Sequence, residues 1–222
     1  MHIGPDDHLR LSDAVHDAEA GTAGEIVTII ADRSDAYHDV GLHYAVLAML
    51  LVPILFAAFP AWPDGVLHLI TGGWSEHDVP MLYLLLFFLM TLVFLTVRYG
   101  LAFMPLRLAL TPKATRRRRV RRRAVELFRV GTEKRTTGRT GILIYLSMGE
   151  HMAEIIADEA IYTRVTDTEW GDAMVAMIEQ VREGRIADGM IAAVGKVGAI
   201  LGAHLPRAAD DNNELPDRVI EL

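Results

Sequence analysis

Two apolar runs without a charged residue, 44–59 and 81–97, constrain this chain more than any other feature. A helix needs ~20 mostly apolar residues to cross ~30 Å of hydrocarbon. With their flanking aromatic residues, the runs predict spans at about 40–62 and 78–99, and thus a transmembrane hairpin within 40–110. Two buried helices of a soluble core are the alternative, but 82–97 has no polar face beyond Tyr83 and two threonines.

The charges around the two runs predict how the hairpin is oriented. The connecting loop, 63–80, contains Asp64, Glu76 and Asp78 and no lysine or arginine. The segment after the second run contains a block of arginines, namely Arg116, Arg117, Arg118, Arg119, Arg121, Arg122 and Arg123. The positive-inside rule then places the loop outside and both termini in the cytoplasm. We therefore expect a multi-pass protein of the bacterial inner (cytoplasmic) membrane.

Short β-branched runs on both sides of the hairpin predict buried strands. The first run is 25–31, and 141–147 and 152–157 follow the hairpin, joined by a turn short enough to make them antiparallel. Helical patterns cover 6–20, 112–130, 166–183 and 186–204. Neither half can close a core alone, so 1–39 and 111–207 are predicted to share one α/β sheet, with 208–222 as a polar tail.

Four segments in order, 22–32, 139–147, 153–161 and 184–191, resemble the TPM domain family. That name derives from a thylakoid lumen protein, a photosystem II repair protein and a nematode receptor modulator. The chain also resembles a bacterial subgroup in which a membrane hairpin interrupts the domain after its first strand. The resemblance implies a small sheet flanked by helices. It also implies one of three activities known in the family: acid phosphatase, calcium binding through acidic loops, or an accessory role in membrane complexes.

The loop before the second predicted strand departs from the family's acidic pattern. In 132–140 the only carboxylate is Glu133, and Lys134, Arg135 and Arg139 would repel a cation. A calcium site needs several oxygen ligands and usually more than one carboxylate. We therefore expect no cofactor, and calcium or magnesium is disfavoured.

Three carboxylates near strand ends are the candidates for catalysis. Asp32 follows the first strand, and Asp158 and Glu159 follow the third. If these strands are parallel neighbours, the carboxylates could converge as an acid/base pair. Loop solvation and helix capping explain them equally well. Two further groups lack a sequence pattern that favours chemistry. They are a juxtamembrane set that could ligate a metal (Asp32, Asp35, His38, Asp39, His43) and hydroxyls without a nearby His–Asp constellation (Ser34, Ser75, Thr140, Ser147).

The arginine block at 116–123 is the strongest local signal. It could bind anionic lipid headgroups, at ~1 kcal/mol per arginine near the surface, or an acidic membrane protein partner, or act only as a topology determinant. Nucleic acid is not expected, because no base-stacking aromatic residues accompany the arginines. The sequence thus favours a non-enzymatic interaction or accessory module for assembly, repair or regulation of another membrane protein. The alternative is a phosphatase acting on a phosphoprotein or small phosphoester.

Overall fold

The computed structural model describes residues 3–72, 79–131, 140–207 and 218–222. The chain divides into two compact units, Met1–Asp35 with Lys113–Leu222, and Ala36–Pro112. The strands are β1 (Glu25–Ala31), β2 (Gly141–Ser147), β3 (Met152–Ala157) and β4 (Ile220–Glu221). The helices are α1 (Pro5–Glu19), α2 (His38–Ala58), α3 (Ala61–Thr71), α4 (Val79–Gly100), α5 (Met104–Leu110), α6 (Lys113–Gly131), α7 (Glu159–Tyr162), α8 (Asp167–Arg182) and α9 (Ile186–His204).

The first unit is built on a mixed four-stranded sheet with the order β3-β2-β1-β4. β1 and β2 are parallel, with Glu25 opposite Gly141 and Ala31 opposite Ser147, whereas β2 and β3 form the expected antiparallel hairpin. Parallel neighbours require a long crossover connection, which the Ala36–Pro112 unit and α6 supply here. The predictions of an α/β fold and of one sheet shared by both halves are confirmed.

Both faces of the sheet are covered by helices, which explains why β1 and β2 carry apolar residues on both faces. Ile142 and Ile144 face the core formed with α1, α8 and α9. Leu143 and Tyr145 face α6 on the other side, as the two-residue period of a strand requires. All seven residues of β1 and of β2 are buried, so these two strands form the centre of the domain.

Small residues allow α9 to approach its neighbours closely. A Cβ added to Gly198 would lie 2.6 Å from the Cβ of Ala18 in α1, and one added to Gly189 would lie 2.8 Å from the carbonyl oxygen of Met177 in α8. A Cβ at Gly195 would have no atom within 4 Å. Gly198 and Gly189 therefore serve helix–helix packing.

The Ala36–Pro112 unit contains two apolar helices that pack against each other, α2 and α4. Three helices of the described chain are long and apolar enough to cross a membrane: α2, α4 and α9. They differ in burial. α4 has no buried residue, whereas α9 contributes nine buried residues to the core of the first unit. The burial of α9 agrees with its expected place in the soluble domain.

The structure differs from the sequence expectations in two segments. The loop expected at 63–80 contains helix α3, which ends at Gly72 with a positive φ. The polar tail expected at 208–222 ends in strand β4, which pairs with β1 through hydrogen bonds from Asp32 N–H to the Leu222 oxygen (2.8 Å) and from Leu222 N–H to the Ile30 oxygen (3.0 Å). The outer backbone groups of β1 need partners, and this short segment supplies them. The loop at 132–139, which is poor in acidic residues, lies outside the described residues.

Candidate functional site

The arginine block forms one side of helix α6. Val120, Ala124 and Phe128 recur every four residues, so they lie on one face and pack against the sheet. The arginines occupy the rest of the helix circumference. The apolar stripe thus fixes which side of α6 meets the domain and leaves its cationic side outside the core.

Some of the arginines are paired within the domain. Arg119 and Arg122 both contact the Asp35 carboxylate, at 3.1 and 3.2 Å, and Arg121 contacts Glu154 of β3 at 3.1 Å. Pairs this close to the surface contribute about 0–1 kcal/mol each. They tether α6 to the segment after β1 and to β3, so these three arginines have a structural use in addition to any binding role.

The first turns of α6 carry the arginines that remain available. Arg117 and Arg118 are exposed, and neither contacts a carboxylate within the part of the chain that the structure describes. Arg116 is half-buried, and its Nε has no hydrogen-bond partner among the described residues. Arg123, further along, lies 3.7 Å from Glu126. The available positive charge is therefore concentrated at 116–118, a few residues after the apolar unit ends.

A buried polar network closes the carboxyl ends of β1 and β2. The Glu150 carboxylate accepts hydrogen bonds from the backbone N–H of Ser34 (3.0 Å) and from the Ser147 hydroxyl. The Ser34 hydroxyl lies 3.0 Å from the hydroxyl of Tyr145. Burial raises the pKa of Tyr145, the Ser34 hydrogen bond opposes this rise, and the nearby Glu150 charge adds to it. The network joins segments 116 residues apart in sequence, so it holds the two halves together.

Sequence reasoning missed Tyr145 and Glu150 as members of this network. The available signal is the Gly149-Glu150 turn, whose sequence by itself indicates only a hairpin connection. Gly149 is required there, because an added Cβ would lie 2.8 Å from the Asp32 carbonyl oxygen, which also accepts the Gly149 N–H. Ser34 and Ser147 do meet in space, but around a carboxylate and without a histidine in the network, so the arrangement does not resemble an activated nucleophile.

The hypothesis that Asp32 converges with Asp158 and Glu159 is wrong. β3 is antiparallel to β2 and is not a neighbour of β1. Asp32 and Asp158 therefore lie near opposite ends of β2. The intervening strand length corresponds to about 20 Å. The Asp158 carboxylate accepts the N–H of Gly141 at 3.0 Å, and Glu159 begins the short helix α7.

Two residues of the juxtamembrane set that could ligate a metal, Asp35 and His38, have other partners. Asp35 is paired with the arginines of α6, and His38 Nδ1 lies 3.3 Å from Arg107 Nη1. Across the residues that the structure describes, no group of three or more histidine and carboxylate side chains is placed to hold a metal ion.

Arg107 joins the two ends of the Ala36–Pro112 unit. Its side chain is 3% exposed and donates hydrogen bonds to the carbonyl oxygens of Ala36 (2.6 Å) and Leu101 (2.7 Å). A buried guanidinium requires such partners, because an unpaired charge would be strongly destabilising. The entrance and exit of this unit are therefore held side by side within the unit itself.

The fold and these contacts define an α/β domain interrupted by a unit that contains two apolar helices. Residues 106–200 match the family model described as the TPM domain, which confirms the resemblance. The NMR structure of BA42 protein from the psychrophilic bacterium Bizionia argentinensis is similar over 100% of this chain and 97% of that chain, with a TM-score of 0.58 and 18% identity. This likeness supports the fold alone. No curated protein matches the chain.

Proposed function

We propose that this protein holds a TPM domain at the cytoplasmic face of a bacterial inner membrane, as a non-enzymatic module that assists another membrane protein. The topology has one structural support. β1 and β2 pair directly although they lie before and after the apolar unit, so both ends of that unit must emerge on the same side. An even number of crossings satisfies this requirement, and α2 and α4 supply two.

The arginines of α6 support a cytoplasmic location for this shared side. α6 begins at Lys113, directly after the Ala36–Pro112 unit. Its exposed Arg117 and Arg118 therefore lie within a few residues of the apolar helices. Juxtamembrane arginines bind anionic headgroups with about 1 kcal/mol each. This position of unpaired, exposed arginines is the observation that carries the proposal.

The observations do not favour the phosphatase alternative. A sheet-end cluster of Asp32, Asp158 and Glu159 around an open pocket would have favoured it, and the strand register separates these carboxylates. The polar groups that do meet, around Glu150, are buried and hydrogen-bonded to one another. We therefore propose that binding of lipid headgroups and of a partner protein, through the outer face of α6, is the function of this region.

Single cysteines test the topology cleanly, because the natural chain has none. Ser75→Cys lies in the segment proposed to be external, and Val130→Cys lies on α6 at a position that is 76% exposed. In intact cells, a membrane-impermeant maleimide is expected to label Ser75→Cys only. Val130→Cys is expected to react after the membrane is permeabilised. The reverse pattern would overturn the proposed orientation.

Headgroup binding is tested with the full-length protein in nanodiscs that contain phosphatidylcholine and phosphatidylglycerol. Native mass spectrometry measures the ratio of anionic to zwitterionic lipid that stays bound. Arg117→Gln/Arg118→Gln is expected to reduce the preference for phosphatidylglycerol about 30-fold, as two contributions of about 1 kcal/mol predict. Arg164→Gln/Arg218→Gln, which removes the same charge elsewhere, is the matched control. An unchanged ratio in the first variant would contradict lipid binding by α6.

Partner binding needs a separate experiment, because lipid contact alone would satisfy the previous test. A photoreactive amino acid at position 118 or 129, both exposed on α6, can be irradiated in intact membranes. A discrete cross-linked membrane protein, absent when the probe is placed at the exposed position 175 of α8, is the expected result. If only lipid adducts form, α6 is a lipid-binding element without a partner role.

A further inference from the structure

A pocket lies on the opposite side of the sheet from α6. The turn between β2 and β3 and the C-terminal half of α8 enclose a pocket of about 370 Å³. This volume is at the lower end of the range of about 300–1,000 Å³ typical of ligand sites. It is too small for a nucleotide cofactor with its full set of contacts, but it can accept a single medium-length hydrocarbon chain.

The lining of the pocket is mostly apolar. It includes Met148, Met152, Met177, Ile178 and Val181. Methionine side chains are unbranched and adapt their shape to flexible apolar ligands, which is why they recur at binding surfaces of low shape selectivity. Met177 is fully buried, whereas Met148 and Met152 are half-buried and pack against the margins of the core.

Three polar residues line the pocket, and one of them, Ser147, is buried and donates its hydroxyl to Glu150. Arg182 and His151 both line it and are both exposed, so they lie at its mouth. No carboxylate belongs to the described lining, and Arg182 forms no ion pair within the described part of the chain. The C-terminal end of α8 carries a partial negative charge, so Arg182 is the group that makes this mouth attractive to an anion.

From these features we propose that the pocket binds a single acyl chain with an anionic headgroup, with the chain among the methionines and the headgroup at Arg182. The carboxylate of a fatty acid and the phosphate of a lysophospholipid share this chemistry, and both are available at a membrane surface. The site is separate from the outer face of α6, and the supply of its ligand rests on the proposed membrane location of the domain.

The experiment uses the full-length protein in phosphatidylcholine nanodiscs and three probes with the same diazirine-bearing chain: a fatty acid, a lysophospholipid and the corresponding fatty alcohol. After irradiation, peptide mass spectrometry locates the adducts. The expected result is labelling in 146–153 and 177–182 by one or both anionic probes, and at least about tenfold less by the alcohol. The anionic probe that labels these segments identifies the source of the ligand.

Two variants separate the roles of the chain and the headgroup. Arg182→Gln is expected to reduce labelling by the anionic probes about tenfold and to leave the alcohol unaffected. Ala153→Phe fills the pocket from the edge strand β3 and is expected to abolish labelling by all three probes. Arg164→Gln is the control for a general loss of charge, and far-UV circular dichroism verifies folding of each variant.

The opposite results would overturn the proposal. Adducts confined to the apolar helices α2 and α4 would mean that the probes only partition into the bilayer. Equal labelling of the pocket by the alcohol and the acid, unchanged by Arg182→Gln, would refute selection of an anionic headgroup. A pocket that instead accepts a side chain of a partner protein would leave 146–153 and 177–182 unlabelled.

Discussion

Gly198 is the position at which α9 and α1 touch, and substituting alanine there tests the packing of the domain directly. An added Cβ would lie 2.6 Å from the Ala18 Cβ, 3.0 Å from its Cα and 3.2 Å from its carbonyl oxygen. Two of these atoms belong to the backbone, so the clash cannot be relieved by a side-chain rotation. The two helices must move apart, and they share the core that also contains Leu11, Val15 and Leu201.

The magnitude follows from two opposing effects. Overpacking of a well-packed core costs about 1–3 kcal/mol, and a backbone clash belongs at the upper end of that range. Replacing glycine by alanine within a helix returns about 1 kcal/mol through helix propensity. We therefore expect Gly198→Ala to lower the free energy of unfolding by about 2 kcal/mol, as the difference between these two effects.

Gly195 provides a matched control on the same helix. It is exposed, and its added Cβ would meet no atom within 4 Å, so only the propensity effect operates. Gly195→Ala is expected to raise the free energy of unfolding by about 0.5–1 kcal/mol. The same chemical change three residues away should thus have the opposite sign.

Tryptophan fluorescence can report on this domain alone. The chain has three tryptophans, and Trp170 is the one in the first unit, so a Trp62→Phe/Trp74→Phe background isolates its signal. For a domain of this size, thermal midpoints should fall by about 4–8 °C for Gly198→Ala and rise by about 1–4 °C for Gly195→Ala. If both variants shift the midpoint in the same direction, the close contact between α1 and α9 is refuted.

Three further predictions concern polar contacts. The pKa of Glu169 is lowered from 4.5 to about 2, chiefly by the hydrogen bond from the backbone N–H of Thr166. The stabilising effect of the Glu169 carboxylate is therefore complete above pH 4.5 and is lost as the pH falls toward 2. The difference in thermal midpoint between the wild type and Glu169→Gln should close over that interval. Arg107→Met leaves two carbonyl acceptors unpaired and should destabilise the Ala36–Pro112 unit by about 3 kcal/mol, seen as faster proteolysis near 36–38 and 101–107 in nanodiscs, and unchanged proteolysis would argue against the clamp. Glu150→Gln removes a negative charge that raises the pKa of Tyr145, so NMR titration of ¹³C-labelled tyrosine should give a lower pKa for Tyr145 in the variant, and a higher value would contradict the assigned cause.

The sequence predicted the elements whose residues carry a local pattern. β1, β2 and β3 were found because β-branched runs bounded by turn residues have few other uses, and α8 was found from its Thr166 and Glu169 capping box. That β1 shares a sheet with the later hairpin followed from a physical requirement, since a single apolar strand cannot remain unpaired. The choice of β2 as its neighbour, the parallel direction of that pair and the position of β3 on the far side of β2 could not be read from the residues.

The candidate site was predicted less well, because its contacts are long-range. Nothing local distinguishes Arg119 and Arg122, which pair with Asp35, from Arg117 and Arg118, which do not. The difference arises from the rotation of α6 about its own axis. The apolar stripe that begins at Val120 sets this rotation by packing against the folded sheet. β4 was missed for the same reason, since its two residues become a strand only through the backbone groups that β1 offers.

The interruption of the sheet also imposes an order on the birth of the protein. β1 leaves the ribosome early, yet its parallel neighbour β2 is synthesised only after the whole Ala36–Pro112 unit. Under the proposed topology, the domain can therefore fold only when both apolar helices have inserted into the bilayer, so that β2 is on the same side of the membrane as β1. A nascent chain that inserted one helix alone would strand the two halves on opposite sides. Completion of the sheet thus depends on correct membrane insertion, and a chain that inserts one helix alone would leave β1 unpaired with β2 and the β2 edge of the β2–β3 hairpin open.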